Sequence, residues 1–263
     1  MVERTYRITA LERGLKVLAT FGPQRRALGP SEVSRLTGIP VSTAYRILRT
    51  LQDSGYLEQL DNGDFTPGVA VLKLGFAALQ NDGVVEAARG PLHELYVETG
   101  ETVNLAVLSG AHVLYLLRYK TAHYVIGNVS VGATLPATCT GLGKTLLSTL
   151  SADELDRTLA QVDLGASGVG PNAHRDPDEL RRDLAITAER GWGMQDQEVA
   201  YGLRSIAVPV RSLEGVVAAV GVSVEGARWP TQRMIDELVG PLTTAAQKIS
   251  VRLGYLEGVT PAR

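Results

Sequence analysis

Residues 30–51, PSEVSRLTGIPVSTAYRILRTL, read as a short helix, a glycine turn and a second helix with two opposite faces. That order is a helix-turn-helix. Ser31 is placed to cap the first helix just after Pro30. Gly38 followed by Ile39-Pro40 stops it, because glycine tolerates the turn and proline cannot continue a helix. Ser42 or Thr43 then starts the second helix. There Ala44, Ile47, Leu48 and Leu51 recur at the spacing of a buried stripe, while Ser42, Tyr45, Arg46 and Arg49 point the other way. Hydroxyls and guanidinium groups on one face are what phosphates and base edges in a major groove require. An isolated segment of this kind is equally an ordinary amphipathic helix with a solvated face, so the flanks decide.

Upstream, Ile8 to Phe21 puts Leu11, Leu15, Leu18 and Phe21 on one stripe, supplying a third helix to close a small core. Downstream, Tyr56 to Leu60 and Phe65-Thr66 flank Asp61-Asn62-Gly63-Asp64, a hairpin signal. Three helices and a hairpin make a winged helix-turn-helix. Residues 1–51 carry nine Lys/Arg against three acids, a net +6, whereas the whole chain of 263 residues is −2. Positive charge is thus concentrated where DNA would lie. The hairpin carries Glu58, Asp61 and Asp64, so it is expected to brace the domain rather than bind phosphate.

Five blocks resemble one family: ALERGLKVLATF at 10–21, LTGIPVSTAYRILRTLQDSGYLE at 36–58, TGETVNLAVLSG at 99–110, LPATCTGLGKTLLS at 135–148 and GLRSIAVPV at 202–210. In this order they are similar to the IclR family of bacterial transcriptional regulators. The resemblance spans nearly the whole chain and implies an α+β protein. Its parts are an N-terminal winged helix-turn-helix, a linker helix and a C-terminal GAF-like mixed α/β ligand-binding domain, assembled as dimers or tetramers.

Composition agrees. A hydrophobic fraction of 44% over this length supports a sizeable core and two domains. The near-neutral charge excludes a wholly basic nucleic-acid coat protein. The single cysteine, Cys139, excludes a disulfide framework and a Cys/His zinc cluster. With no signal-peptide pattern and no long apolar run, a soluble cytoplasmic protein without membrane contact is expected. We expect a DNA-binding domain at 1–67, a linker helix at 68–83 and an effector-binding, oligomerising domain at 84–263. The linker stretch, with Val69, Leu72, Leu74, Phe76 and Leu79, is too apolar to stand alone in water and is expected to pack on a partner subunit.

In the third region Thr102–Leu108 and His112–Tyr119 read as paired strands across Ser109-Gly110, and Tyr124–Val131 as a third. Helices follow near 140–150, 152–161 and 177–190, the last two announced by capping boxes at Ser151/Glu154 and Asp176/Glu179. Ser205–Val210 and Val216–Val224 return as strands before a last helix at Thr231–Gly254. The pattern implies a mixed sheet with helices packed on it.

The stretch from Leu135 to Thr145 ends a loop and opens a helix with small and hydroxyl residues. Its first-turn amides suit an anion such as a carboxylate, or its glycines simply permit close packing. A Walker A loop needs glycine five residues before the Gly143-Lys144 pair, where this chain has Thr138. In regulators of the resembled family that bind small acids, the positions matching Gly141 and Leu142 hold the carboxylate and that matching Leu135 lines the pocket. The positions on two later strands that complete it match Ser205 and Ser223 here, with Asp196 near the remaining polar one. Here Ser205 stands where a cysteine can occur and Gly221 where a serine can occur. The segment from Asp196 to Pro209 looks like the branch controlling aromatic-acid catabolism, such as protocatechuate and para-hydroxybenzoate pathways. Tyr201 and Arg204 either flank an aromatic carboxylate or sit on a solvated face.

Enzymatic readings find little support. His93, His112, His123 and His174 have neither HExxH spacing nor a common helix face, no G-x-S-x-G elbow is present, and Cys139 has no evident histidine partner. No catalytic residue, cofactor or metal is expected. The expected function is a ligand-responsive regulator that binds a pseudo-palindromic operator in double-stranded DNA through Ser31, Ser42, Thr43, Tyr45, Arg46 and Arg49 and senses a small organic acid, an aromatic one if the likeness to the aromatic-acid branch holds. The alternative is a non-catalytic sensor or scaffold working through protein contacts, and salt-dependent DNA binding separates the two.

Overall fold

The computed structural model describes residues 6–22, 25–81, 83–121, 129–165 and 170–255. The chain divides into two compact units, Met1–Asn81 and Asp82–Arg263.

In the first unit α1 (Thr9–Leu18), α2 (Pro30–Thr37) and α3 (Val41–Asp53) precede a hairpin of β1 (Leu57–Gln59) and β2 (Phe65–Pro67), then α4 (Val69–Asn81). Its core is Val17, Leu28, Val33, Ile39, Ala44, Leu48, Leu57 and Phe65. Ala44 and Leu48 are fully buried, and Ile47 and Leu51 pack against them, as the stripe on α3 requires. The expectation for α1 is corrected. Val17 is its buried residue, assisted by Leu18 and Phe21, whereas Leu11 and Leu15 are 59% and 57% exposed. Helical periodicity finds two apolar stripes on α1, and only packing tells which one faces the core.

Both helices also start earlier than read. Gly29 is the N-cap of α2, with Pro30 in the first turn, so Ser31 is no cap. Pro40 precedes α3, so neither Ser42 nor Thr43 caps it. Proline at the helix entrance fixes φ and lacks an N–H that would need a partner. Gly38 ends α2 at φ 72°, where a side chain is disfavoured, and Lys16 Nζ donates to the Thr37 carbonyl at 2.7 Å. Leu28 and Phe65 exchange two backbone bonds of 3.0 Å, which ties the hairpin to the helices.

The second unit contains α5 (Gly83–Thr99), β3 (Thr102–Ser109), β4 (His112–Tyr119), β5 (Thr134–Pro136), α6 (Gly141–Leu147), α7 (Ala152–Leu159), α8 (Pro177–Arg190), β6 (Gly193–Asp196), β7 (Leu203–Ser212), β8 (Gly215–Glu225) and α9 (Thr231–Arg252). A 3-10 turn at Ala137–Cys139 leads into α6. The strands form one sheet in the order β5-β4-β3-β8-β7-β6. Helices pack on it as expected, but every described pairing is antiparallel where strands of mixed direction were read. Helices α5 and α9 pack against β3 and β7, while α6 packs against β6, β7 and β8 and is backed by α8.

Strand Tyr124–Val131 lies mostly outside the described residues. The short strands β5 and β6 went unread, being three and four residues long at the sheet edges. Ser151 and Glu154 form the expected capping box. Asp176 caps through the Asp178 amide rather than with Glu179. No helix among the described residues is long and apolar enough to cross a membrane.

Candidate functional site

The outer face of α3 carries Ser42, Thr43, Tyr45, Arg46 and Arg49. Tyr45, Arg46 and Arg49 are exposed, Thr43 is half-buried, and Ser31 is exposed on the first turn of α2. Arg49 Nη1 donates to Gln52 Oε1 at 3.0 Å and to Gln59 Oε1 at 3.3 Å, so β1 of the hairpin steadies it. Neither Arg46 nor Arg49 is ion-paired to a carboxylate among the described residues, which leaves both guanidinium charges available.

In the second unit the start of α6 stands over the sheet. Thr140 caps α6, its Oγ1 accepting from the Gly143 amide at 2.9 Å. That leaves the first-turn amides of Gly141 and Leu142 without a partner among the described residues. Close packing is real here as well: a Cβ on Gly143 would fall 2.2 Å from the Ala137 carbonyl oxygen, and one on Gly141 3.0 Å from Ser205 Oγ. Both earlier readings of these glycines therefore have a physical basis, at adjacent positions.

Beneath Gly141, Ser205 of β7 pairs in register with Ser223 of β8, which pairs with Thr102 of β3. Ser223 Oγ accepts from Asn104 Nδ2 at 3.2 Å, and Asn104 Oδ1 accepts from Arg118 Nη1 at 3.0 Å. Asn104 and Arg118 were missed in the sequence. The signal that could have found Asn104 is the alternation Thr102-Val103-Asn104-Leu105, which puts two polar side chains on one face of an otherwise apolar strand. Leu135 on β5 packs against the apolar cluster of Leu142, Leu146 and Val113. Asp196 is engaged by Arg204, Nε to Oδ1 2.7 Å, and Arg204 also donates to the Gly226 and Trp229 carbonyls. Tyr201 is 82% exposed, so the solvated reading holds for it, while Arg204 is a structural brace.

One turn further along α6, Lys144 is 2% exposed and holds two carboxylates, Asp183 Oδ2 at 2.7 Å and Glu198 Oε1 at 2.5 Å. His174 Nε2 lies 3.1 Å from the same Asp183 oxygen. His174, Asp183 and Glu198 thus converge although their spacing gave no hint of it. The ammonium of Lys144 already supplies their counter-charge, so the arrangement suits a fixed cation rather than a metal. Burial followed by the nearby Glu198 pushes the Cys139 thiol up to about 11, which makes it a poor nucleophile. His123 lies outside the described residues.

Comparison with known proteins follows the same division. Residues 10–61 match the IclR helix-turn-helix domain, and residues 76–251 match the C-terminal domain of bacterial transcriptional regulator IclR. The chain is 34% identical over 243 residues to the Pca regulon regulatory protein of Pseudomonas putida, covering 92% of this chain and 82% of that protein. It is 30% identical over 257 residues to the transcriptional repressor IclR of Escherichia coli K12, covering 95% and 91%. Among solved structures, an IclR homolog complexed with 4-hydroxybenzoate from Microbacterium hydrocarbonoxydans superposes with a TM-score of 0.77 at 28% identity, covering 93% of this chain and 99% of that one.

Proposed function

The chain belongs to the IclR family, DNA-binding transcriptional regulators with a C-terminal effector-binding domain, and on that premise we propose that it binds a pseudo-palindromic operator and releases or grips it in response to a small organic acid. The family consists of regulators and not enzymes. Residues 1–67 are the DNA-binding part, 68–83 the linker and 84–263 the sensing and oligomerising part. Ser42, Thr43 and Tyr45 fix register on the DNA, Arg46 and Arg49 supply most of the contact, and Ser31 approaches the phosphates. A dimer sets two recognition helices about 34 Å apart, one turn of DNA. It works in the cytoplasm, where its operator is.

The carboxylate of the effector sits on the Gly141 and Leu142 amides, with Leu135, Ser205 and Ser223 around it and Asp196 at its edge. The single observation that carries this reading is the pair of unpartnered amides over the Ser205–Ser223 step of the sheet. An aromatic acid is supported by the 4-hydroxybenzoate held by the Microbacterium relative and by the likeness to the Pca regulon regulator. By linkage, an acid that fits one arrangement of the second unit better shifts the oligomer toward or away from the half-site spacing. Fluorescence anisotropy on the DNA upstream of the protein's own gene, titrated with aromatic and short keto acids, tests it. Saturable, salt-sensitive, sequence-preferring binding shifted by an acid is expected. No preference over random DNA would overturn it.

A further inference from the structure

Arg118 lies near the end of β4, paired in register with Asn104. Among the described residues only its Nη1 is spent, on Asn104 Oδ1 at 3.0 Å, and its Nε is buried with no hydrogen-bond partner. Nε and Nη2 form one edge of the guanidinium plane, the fork that accepts a carboxylate through two parallel bonds. Among the described residues no carboxylate lies within ion-pair distance of Arg118, whereas Lys144 and Arg204 each hold one. A half-buried guanidinium with an empty fork is costly unless something anionic fills it. Burial also holds its pKa below the ordinary arginine value, with Tyr115 acting weakly the other way.

The fork is not isolated. Asn104 links it to Ser223, and Ser223 is the register partner of Ser205 beneath Gly141. Thr138, 3% exposed and three residues before α6, also has a hydroxyl with no partner among the described residues. Arg118 and Asn104 face each other across β4 and β3, β3 lies beside β8, and Ser223 and Ser205 face each other across β8 and β7, so the fork and the start of α6 are joined by one run of polar side chains.

We propose that Arg118, held in place by Asn104, receives a second acidic group of the effector, so that the site selects small dicarboxylic acids over monocarboxylic ones. The proposal rests on the reading that the first carboxylate sits on the Gly141 and Leu142 amides. Arg118 is then the residue that decides specificity, and Asn104 is a positioning residue.

The test is calorimetric titration of the full-length protein with succinate, glutarate and adipate against butyrate, pentanoate and hexanoate, and with terephthalate against 4-hydroxybenzoate, an aromatic acid whose far end is a neutral hydroxyl. Wild type is expected to bind the best diacid on the order of 10- to 100-fold more tightly than its monoacid counterpart, the worth of one charge-assisted fork. Arg118→Gln should bring diacids down to the monoacid level and leave monoacids within about two-fold. Arg118→Lys, which keeps the charge but not the fork, should recover part of the preference, and Asn104→Ala should reduce it without removing it. Equal weakening of mono- and diacids in Arg118→Gln overturns the proposal, as does binding of 4-hydroxybenzoate as tight as that of terephthalate. Monoacid binding with no diacid preference overturns this proposal alone. Failure of every acid to bind overturns the amide reading and this one with it.

Discussion

Lys144 Nζ lies 2.7 Å from Asp183 Oδ2, a pair that fastens α6 to α8 from within the second unit. Glu198, in the segment between β6 and β7, completes the clasp from the other side. The start of α6, where the acid is proposed to bind, is therefore set by buried charges one turn away. Lys144→Met should destabilise the protein by about 3–5 kcal/mol, because two carboxylates lose their shared cation inside the core. Urea denaturation checks this. Adding Glu198→Gln to Lys144→Met should restore part of the loss, and no restoration would show that the pair is not coupled.

The same cluster predicts how stability follows pH. His174 hydrogen-bonds Asp183 and has its pKa raised above 6.5. A raised pKa contributes stability that is complete below 6.5 and lost as pH climbs through the folded value. Burial pushes the Glu198 carboxyl up from 4.5, against the pull of Lys144, so its ionisation also lowers stability as pH rises. For Asp183 burial alone would raise the pKa, but His174 and Lys144 outweigh it and bring it down to about 2, so its contribution is present above 3.8 and lost as pH falls toward that value. Thermal melts should peak in mildly acidic buffer and fall toward neutral and alkaline pH. His174→Gln should flatten the part of the decline above 6.5, and an unchanged slope would remove His174 from this account.

Arg46→Ala should weaken operator binding by roughly 1 to 3 kcal/mol and relax preference at one base position if Arg46 reads a base edge. Arg49→Ala should instead weaken all sequences alike and reduce the salt slope by about one. Gln59→Ala, which releases Arg49 from the hairpin, should produce a smaller loss of the Arg49 kind. Anisotropy titrations at several salt concentrations separate the three. Identical affinity and sequence preference for Arg46→Ala would sink its assignment.

Two glycines two residues apart should behave differently. A methyl group on Gly143 meets Ala137 backbone at 2.2 Å and cannot be accommodated, so Gly143→Ala should cost about 3 kcal/mol or more. On Gly141 it meets Ser205 Oγ at 3.0 Å and the Ser205 carbonyl oxygen at 3.1 Å, a milder conflict that helix and strand relieve by yielding a few tenths of an ångström. Gly141→Ala should therefore stay folded and lose response to acid, read by circular dichroism and anisotropy together. A folded Gly141→Ala protein with full acid response would contradict the amide site.

Val69, Leu72 and Leu74 on α4 and Ile8, Leu11 and Leu15 on or beside α1 are large, apolar and exposed. Covering such faces is worth on the order of 25 cal/mol per Å². If oligomer contacts cover them, Leu72→Glu and Leu11→Glu should shift the protein toward monomer in multi-angle light scattering and weaken operator binding with it. A monomeric wild type would exclude the dimer.

Local pattern alone was enough for the helix-turn-helix, the hairpin, the long strands and the capping of α7, because each depends on residues a few positions apart. Gly38 after an amphipathic octet, or Asn62-Gly63 between two short apolar runs, acts through its own backbone preferences. The same locality let the sequence mark Gly141 and Leu142 as the opening of a helix. Which stripe of α1 faces inward, and that all the described sheet pairings are antiparallel, was settled by packing. Asn104 and Ser223 stand 119 residues apart, and no spacing rule connects them. Their contact exists because β3 and β8 lie side by side in a register that points both side chains to one face. The clasp of Lys144, Asp183, Glu198 and His174 likewise joins two helices and two loops whose charges look unrelated in the chain. Charge and polarity could be read from residues one at a time, whereas their convergence required strand register and helix packing, which are properties of the whole fold.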